Sequence, residues 1–168
     1  TYDLKKIILE NLPGPVPMTG DKGLKLPDVK SGKCTMDEFV AQLDLTELEA
    51  ISRGGYKMDY PLGAKGNAGA IGGITESLRE KGVPPVITTD GPSGIRLTAS
   101  CSLLPIGTLL AASFNTELCY RVYSAVSAEM ADRGSDVLLA PGINIHRNPL
   151  CGRNFEYYSE DPYLTGKI

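Results

Sequence analysis

The sequence predicts an α/β chain built from parallel β/α units. Two observations carry this. Short apolar runs at 83–89 and 137–140 read as buried strands, each closed by a turn signal, Asp90-Gly91-Pro92 and Pro141-Gly142. Helical signals follow each of them, in the order strand, loop, helix, strand, loop, helix. A third observation sets the scale. The chain has 168 residues, an ordinary length for one domain but short of the ~250 that a closed (β/α)8 barrel usually needs.

Taken in order, residues 3–10 read as a short helix with Leu4, Ile7 and Ile8 on one side. Residues 11–33 carry Pro13, Pro15, Pro17 and Pro27 among Gly14, Gly20 and Gly23. Proline lacks a backbone donor and is excluded from helix interiors and sheet centres. We therefore assign 1–34 as a linker or surface strap, and 35–168 as the α/β domain. Thr35 with Glu38 and Thr46 with Glu49 each fit a capping box. They predict helices near 36–43 and 46–53, burying Phe39, Val40 and Leu43, then Leu45, Leu48 and Ile51. Gly54-Gly55 ends the second.

Residues 63–73, GAKGNAGAIGG, read as a flexible or tightly turned loop entering a helix at 74–81. A glycine loop before a helix also invites a phosphate cradle. The spacing matches neither common nucleotide motif, and no strand is predicted before it. Asn115 caps a helix predicted over 116–133, with Leu118, Val122, Ala125, Val126 and Met130 on one face and Gly134 just past its end. Asp161-Pro162 is a cap followed by a first-turn proline. The helix it starts is two turns long at Ile168, and we expect the chain to be a piece of a longer one.

Composition excludes several classes. Apolar residues make up 42 % and charged residues 22 %, which sets disorder, collagen and coiled coils aside. No apolar run approaches the ~20 residues of a membrane span. The net charge is −3 with scattered Lys and Arg, so no nucleic acid partner is expected. Cys34, Cys101, Cys119 and Cys151 show no C-x-x-C pair, and there is one His. No metal and no cofactor are expected. Reduced thiols suit a cytoplasmic protein, although a cleaved leader stays open before Thr1.

In parallel β/α architectures, ligand groups sit beyond the carboxyl ends of the strands. Asp90 and Arg96 in TTDGPSGIR qualify. A carboxylate at a strand end accepts hydrogen bonds from adjacent hydroxyls, and the arginine can donate to it or orient it. The bland reading is a turn-capping Asp beside a surface Arg. HRNPLCGRNFEYYSEDP, at 146–162, gathers His146, Arg147, Arg153, Glu156, Glu160 and Asp161. Such a loop suits a polar ligand such as a sugar. It equally suits an ion-pair network, with His146 anchoring the loop and Asp161 acting as a cap. Arg153 is the foremost ligand candidate. Glycoside hydrolysis needs two carboxylates flanking a sugar, and neighbours on one loop are poorly placed for that.

Three ordered segments then become specific: TTDGPSGIR, PIGTLLAASFN and LLAPGINIHRNPLCGRNFEYYSEDPYLTGKI. They resemble glycoside hydrolase family 3, of the β-glucosidase type. The likeness runs from about residue 83 to the end, and more weakly upstream through CTMDEFVAQL and AGAIGGITESLREKG. The resemblance implies a partial (β/α)8 barrel holding about the first two β/α units. It implies retaining hydrolysis of terminal β-D-glucosyl residues by a parent enzyme. By position, Asp90, Arg96 and Arg153 match substrate-binding residues of the family, and Glu160-Asp161 match loop support. The family's nucleophile, its acid/base and its Lys-His pair have no match in 1–168. The resemblance thus implies no catalytic residue in this chain and no activity alone. Implied partners are a β-glucoside, the rest of the barrel and an α/β sandwich domain, with a homo-oligomer as a further possibility because unfinished sheets expose edges. The alternatives are a non-catalytic sugar-binding or assembly module, and a nucleotide-binding domain resting on the glycine segment.

Overall fold

A computed structural model describes residues 2–14, 17–55 and 57–168. Pro15 of the predicted strap lies outside them. The fold is mixed α/β, with a three-stranded sheet, helices around it and two small apolar cores.

Helix α1 (Leu4–Glu10) is capped by Asp3 and buries none of its residues. Residues 19–34 lie against the body that follows. The Thr19 amide donates to the Ala41 carbonyl, and the Leu26 amide to the Lys81 carbonyl, each at 2.8 Å. Buried Gln42 reads the strap like an extra strand: its Oε1 accepts from the Lys22 and Leu24 amides, and its Nε2 donates to the Leu24 carbonyl. The strap also contains a helix that the prolines argue against, α2 (Leu26–Lys30). Pro27 sits in its first turn, where the missing amide has no intrahelical partner to lose.

Helix α3 (Met36–Ala41) has the predicted Thr35–Glu38 capping box. Helix α4 (Leu45–Arg53) starts one residue earlier than expected. Its capping box is Asp44 with Glu47, not Thr46 with Glu49, and Glu49 instead grips Arg53. The buried face differs as well. Leu45 is 70 % exposed and Ile51 37 %, while Glu47 and Ala50 are buried. The cause is an ion pair. The Glu47 carboxylate accepts from Lys81 Nζ at 2.7 Å and from the Ser77 hydroxyl, which turns this face inward. The first core then closes around Phe39, Leu43, Ala50 and Leu78, with strap residues Leu24, Leu26 and Val29 packed on it.

The glycine segment is the main correction. Gly69–Gly72 forms a strand, β1, antiparallel to β2 (Pro85–Asp90), with Gly69 opposite Thr88 and Gly72 opposite Pro85. Its small residues allow close approach of the backbone. A Cβ at Gly72 would sit 2.7 Å from the Pro84 carbonyl oxygen. Residues 63–68 keep the tightly turned loop read from the sequence, with the Gly63, Gly66, Asn67 and Ala68 amides donating to Tyr60, Asp59, Ala64 and Thr88. With those amides engaged and 69–72 paired, the segment gives the nucleotide reading little support. Helix α5 (Glu76–Glu80) follows, capped by Thr75 and shorter than predicted.

After β2 come α6 (Gly107–Ala112), which the sequence reading missed, and α7 (Thr116–Arg133). Helix α7 has the predicted ends: the Asn115 side chain accepts from the Leu118 amide, and Gly134 is left-handed. Its buried residues are Cys119 and Val126, whereas Leu118 and Ala125 face outward. Strand β3 (Val137–Leu139) pairs parallel with β2, as the alternation predicts. Asp136 fixes the register, because its amide donates to the Ile87 carbonyl and its carboxylate accepts from the Ile87 amide. Thr89 and Ser135, both buried, share a hydroxyl hydrogen bond of 2.5 Å beneath the sheet. Helix α8 (Pro162–Lys167) starts on the Asp161 cap. It completes the second core of Leu110, Ala111, Cys119 and Tyr158 through Leu164 and Ile168.

Candidate functional site

The parallel pairing of β2 with β3 builds the site. Asp90 is the last residue of β2 and lies opposite Leu139, the last residue of β3. The loops 91–106 and 140–161 therefore leave the sheet from one edge, the carboxyl edge.

Asp90 is held from two sides. The Arg96 Nη1 donates to Asp90 Oδ2 at 2.8 Å, and the Arg96 amide donates to the Asp90 carbonyl at 2.8 Å. The chain between them turns through buried Gly91, Pro92 and Gly94. A small turn with no room for side chains thus aims a carboxylate and a guanidinium together. Both side chains remain accessible, at 40 % for Asp90 and 59 % for Arg96. At that exposure the pair contributes little to stability. Its effect is to fix orientation.

Arg153 comes from the loop after β3, and the turn Asn154–Glu156 carries its partner. Its Nε donates to the carboxylate of Glu156, a residue only 4 % exposed. The guanidinium is held above its already high range, first by that hydrogen bond and the Glu156 charge, and further by Tyr157 and Asp90. The structure brings Asp90 and Arg96 into contact and holds Arg153, on the loop after β3, against its own buried anchor.

Other loop residues have structural work. The His146 ring nitrogen lies 3.1 Å from the Tyr157 carbonyl oxygen, and its amide donates to the Ser159 carbonyl. That is the anchoring role read from the sequence. Asp161 caps α8, and Glu160 is exposed. The sequence reading missed Thr108, whose hydroxyl donates to the same Tyr157 carbonyl at 2.7 Å. Its signal was present only as the PIGT entry to α6. Among the described residues, no cluster of His, Cys, Asp or Glu could hold a metal ion, and no helix is long and apolar enough to cross a membrane.

Comparison with known proteins adds the family. Residues 32–168 match the N-terminal domain of glycosyl hydrolase family 3. A β-glucosidase of Ruminococcus albus is 49 % identical over 94 % of this chain, and β-glucosidase A of Butyrivibrio fibrisolvens is 39 % identical over 90 %. A solved β-glucosidase from Paenibacillus barengoltzii superposes with a TM-score of 0.92 at 50 % identity, covering 99 % of the chain. The chain spans 17 % and 18 % of the lengths of the two curated relatives, and 18 % of the solved one. With its matched segment, its α/β fold and these relatives, the chain belongs to glycosyl hydrolase family 3 and corresponds to part of that family's N-terminal domain.

Proposed function

We propose that this chain is the opening portion of the barrel domain of a β-glucosidase-like hydrolase. In it, Asp90, Arg96 and Arg153 form part of the subsite for a terminal β-D-glucosyl residue. One observation carries the reading. An accessible carboxylate and an arginine, Asp90 and Arg96, are paired at the carboxyl edge of a parallel strand pair, and the loop leaving the same edge of the neighbouring strand carries a second held arginine, Arg153. A sugar ring presents vicinal hydroxyls, each both donor and acceptor. A carboxylate accepts from two of them, while guanidinium groups donate to the oxygens beside them. Charge-assisted bonds of this kind are worth roughly 1.5–3 kcal/mol each.

The chemistry of cleavage lies elsewhere. Retention needs a nucleophile and an acid/base about 5 Å apart across the glycosidic bond. Two carboxylates of the loop after β3 serve other ends: Glu156 is committed to Arg153, and Asp161 to the α8 cap. The nucleophile and acid/base are supplied by the remainder of the parent protein, which also continues the sheet past β3. That strand is last in the sheet order, which leaves its outer backbone edge free among the described residues for a further strand, and it exposes Val137 and Leu139 on one face. The three strands here are the start of such a barrel, with antiparallel β1 flanking the first parallel pair.

The test is substitution in the full-length protein that carries this segment. Asp90→Ala is expected to lower kcat/KM for an aryl β-glucoside by at least ~100-fold, about 3 kcal/mol for the two charge-assisted bonds lost. The melting temperature should stay within a few degrees. Unchanged kcat/KM would remove Asp90 from the subsite.

A further inference from the structure

Arg153 and Glu156 differ sharply in environment. The arginine side chain is 67 % exposed, while the glutamate carboxylate it meets is 4 % exposed. An exposed arginine is long and mobile, and by itself adopts many rotamers. A buried carboxylate on a fixed turn is not mobile. In this pair, then, the glutamate is the reference point and the arginine is placed by it.

The turn that carries Glu156 is clamped by another element. Gly107, at the start of α6, packs directly on the Glu156 carbonyl oxygen, which the absence of a Cβ permits. One residue on, Thr108 donates its hydroxyl to the Tyr157 carbonyl at 2.7 Å. The His146 ring nitrogen reaches the same carbonyl at 3.1 Å, and its ring stacks near that of Tyr157. Next in sequence, Tyr158 is buried in the second core, its hydroxyl 3.0 Å from that of Tyr123. Three elements thus hold residues 156–158 rigid. The hydrogen bond from Arg153 uses Nε alone, on the stem side of the guanidinium. The two terminal nitrogens stay available for a ligand.

We propose that Glu156 is a positioning residue: it sets the rotamer of Arg153 so that the terminal guanidinium nitrogens face the glucosyl subsite beside Asp90. Glu156 touches no substrate and acts only through Arg153. The inference rests on the reading of Arg153 as a sugar ligand, and it adds the device that makes an exposed arginine selective. A freely rotating arginine would lose orientational freedom on each binding event, and a preset one has already lost it.

The experiment is a double-mutant cycle in the full-length protein, read as the inhibition constant for glucose competing with an aryl β-glucoside. Glu156→Gln, which keeps shape and removes charge, is expected to weaken glucose binding about tenfold. In an Arg153→Ala background the same change should alter binding less than twofold, because nothing is left to position. A purely structural glutamate would give equal losses in both backgrounds, and that result overturns the proposal. If Arg153→Ala weakens binding and Glu156→Gln does not, positioning alone is refuted. If Arg153→Ala leaves glucose binding unchanged, the ligand reading of Arg153 falls, and the proposal with it. Should Glu156→Gln fail to fold, Glu156→Asp keeps the buried charge but draws the carboxylate back by one methylene. It carries the same expectations in the same two backgrounds.

Discussion

Lys81 joins three parts of the chain at one ammonium group. Its Nζ lies 2.7 Å from Glu47 on α4 and 3.2 Å from Asp21 on the strap. It is 11 % exposed and Glu47 5 %, so neither charge has much water to fall back on. Removing one partner of a buried pair strands the other, at roughly 3–5 kcal/mol. Lys81→Met is therefore expected to destabilise the chain by about 3 kcal/mol at neutral pH, measured by urea unfolding. The pH dependence follows from Glu47. Burial works to raise its carboxyl, and hydrogen bonds from Lys81, Ser77 and the Asp44 amide outweigh burial, so the net shift is downward. A carboxyl lowered in the folded state stabilises above its unfolded value of about 4.3, and that gain is lost as pH falls through the folded value. The deficit of Lys81→Met should thus hold from pH 7 down to about 4.3 and shrink below that, as the gain is lost. A deficit constant with pH would show that the lysine contributes packing alone.

Single residues also show what a sequence discloses. Asp90 and Arg96 are six apart on one turn, and their pairing was legible because the turn is local. Glu156 was visible as one acidic residue in a polar loop. Its burial was not, because Gly107 and Gly142 pack against it, and no local pattern records a contact 49 residues distant.

Helix α7 is the element most fully written in its own sequence. Its ends depend on Asn115 and Gly134, whose effects act within one turn. Asn115→Ala removes the acceptor for the Leu118 amide, with an expected cost of about 1 kcal/mol and a melting temperature lower by a few degrees. Asn115→Asp, which keeps the acceptor, should cost much less. Equal losses would mean that the cap is replaced by water without penalty. Strand β1 is the opposite case. Gly69–Gly72 has little intrinsic strand preference. It is a strand because β2 lies alongside, and the lack of a Cβ at Gly72 permits that approach. Likewise the α4 face was misread because apolar periodicity cannot register a lysine 34 residues away drawing Glu47 inward. Local chemistry was readable, and long-range pairing was not.

At the scale of the molecule, the described residues form a three-stranded sheet and two apolar cores. The strap and α3 to α5 form one core, and α6 to α8 with Tyr158 form the other. The carboxyl ends of β2 and β3 carry the aimed polar groups, and β3, last in the sheet, exposes apolar Val137 and Leu139 on one face. On the proposed reading, such a unit presents part of a sugar site without the means to cleave. The direct test is hydrolysis of an aryl β-glucoside by the purified 168-residue chain, alone and co-expressed with the remainder of its parent protein. The account predicts no turnover above buffer for the chain alone. It predicts activity when the remainder is supplied, and loss of that activity when the chain carries Asp90→Ala. Turnover by the chain alone would contradict it, as would full activity of the reconstituted Asp90→Ala protein.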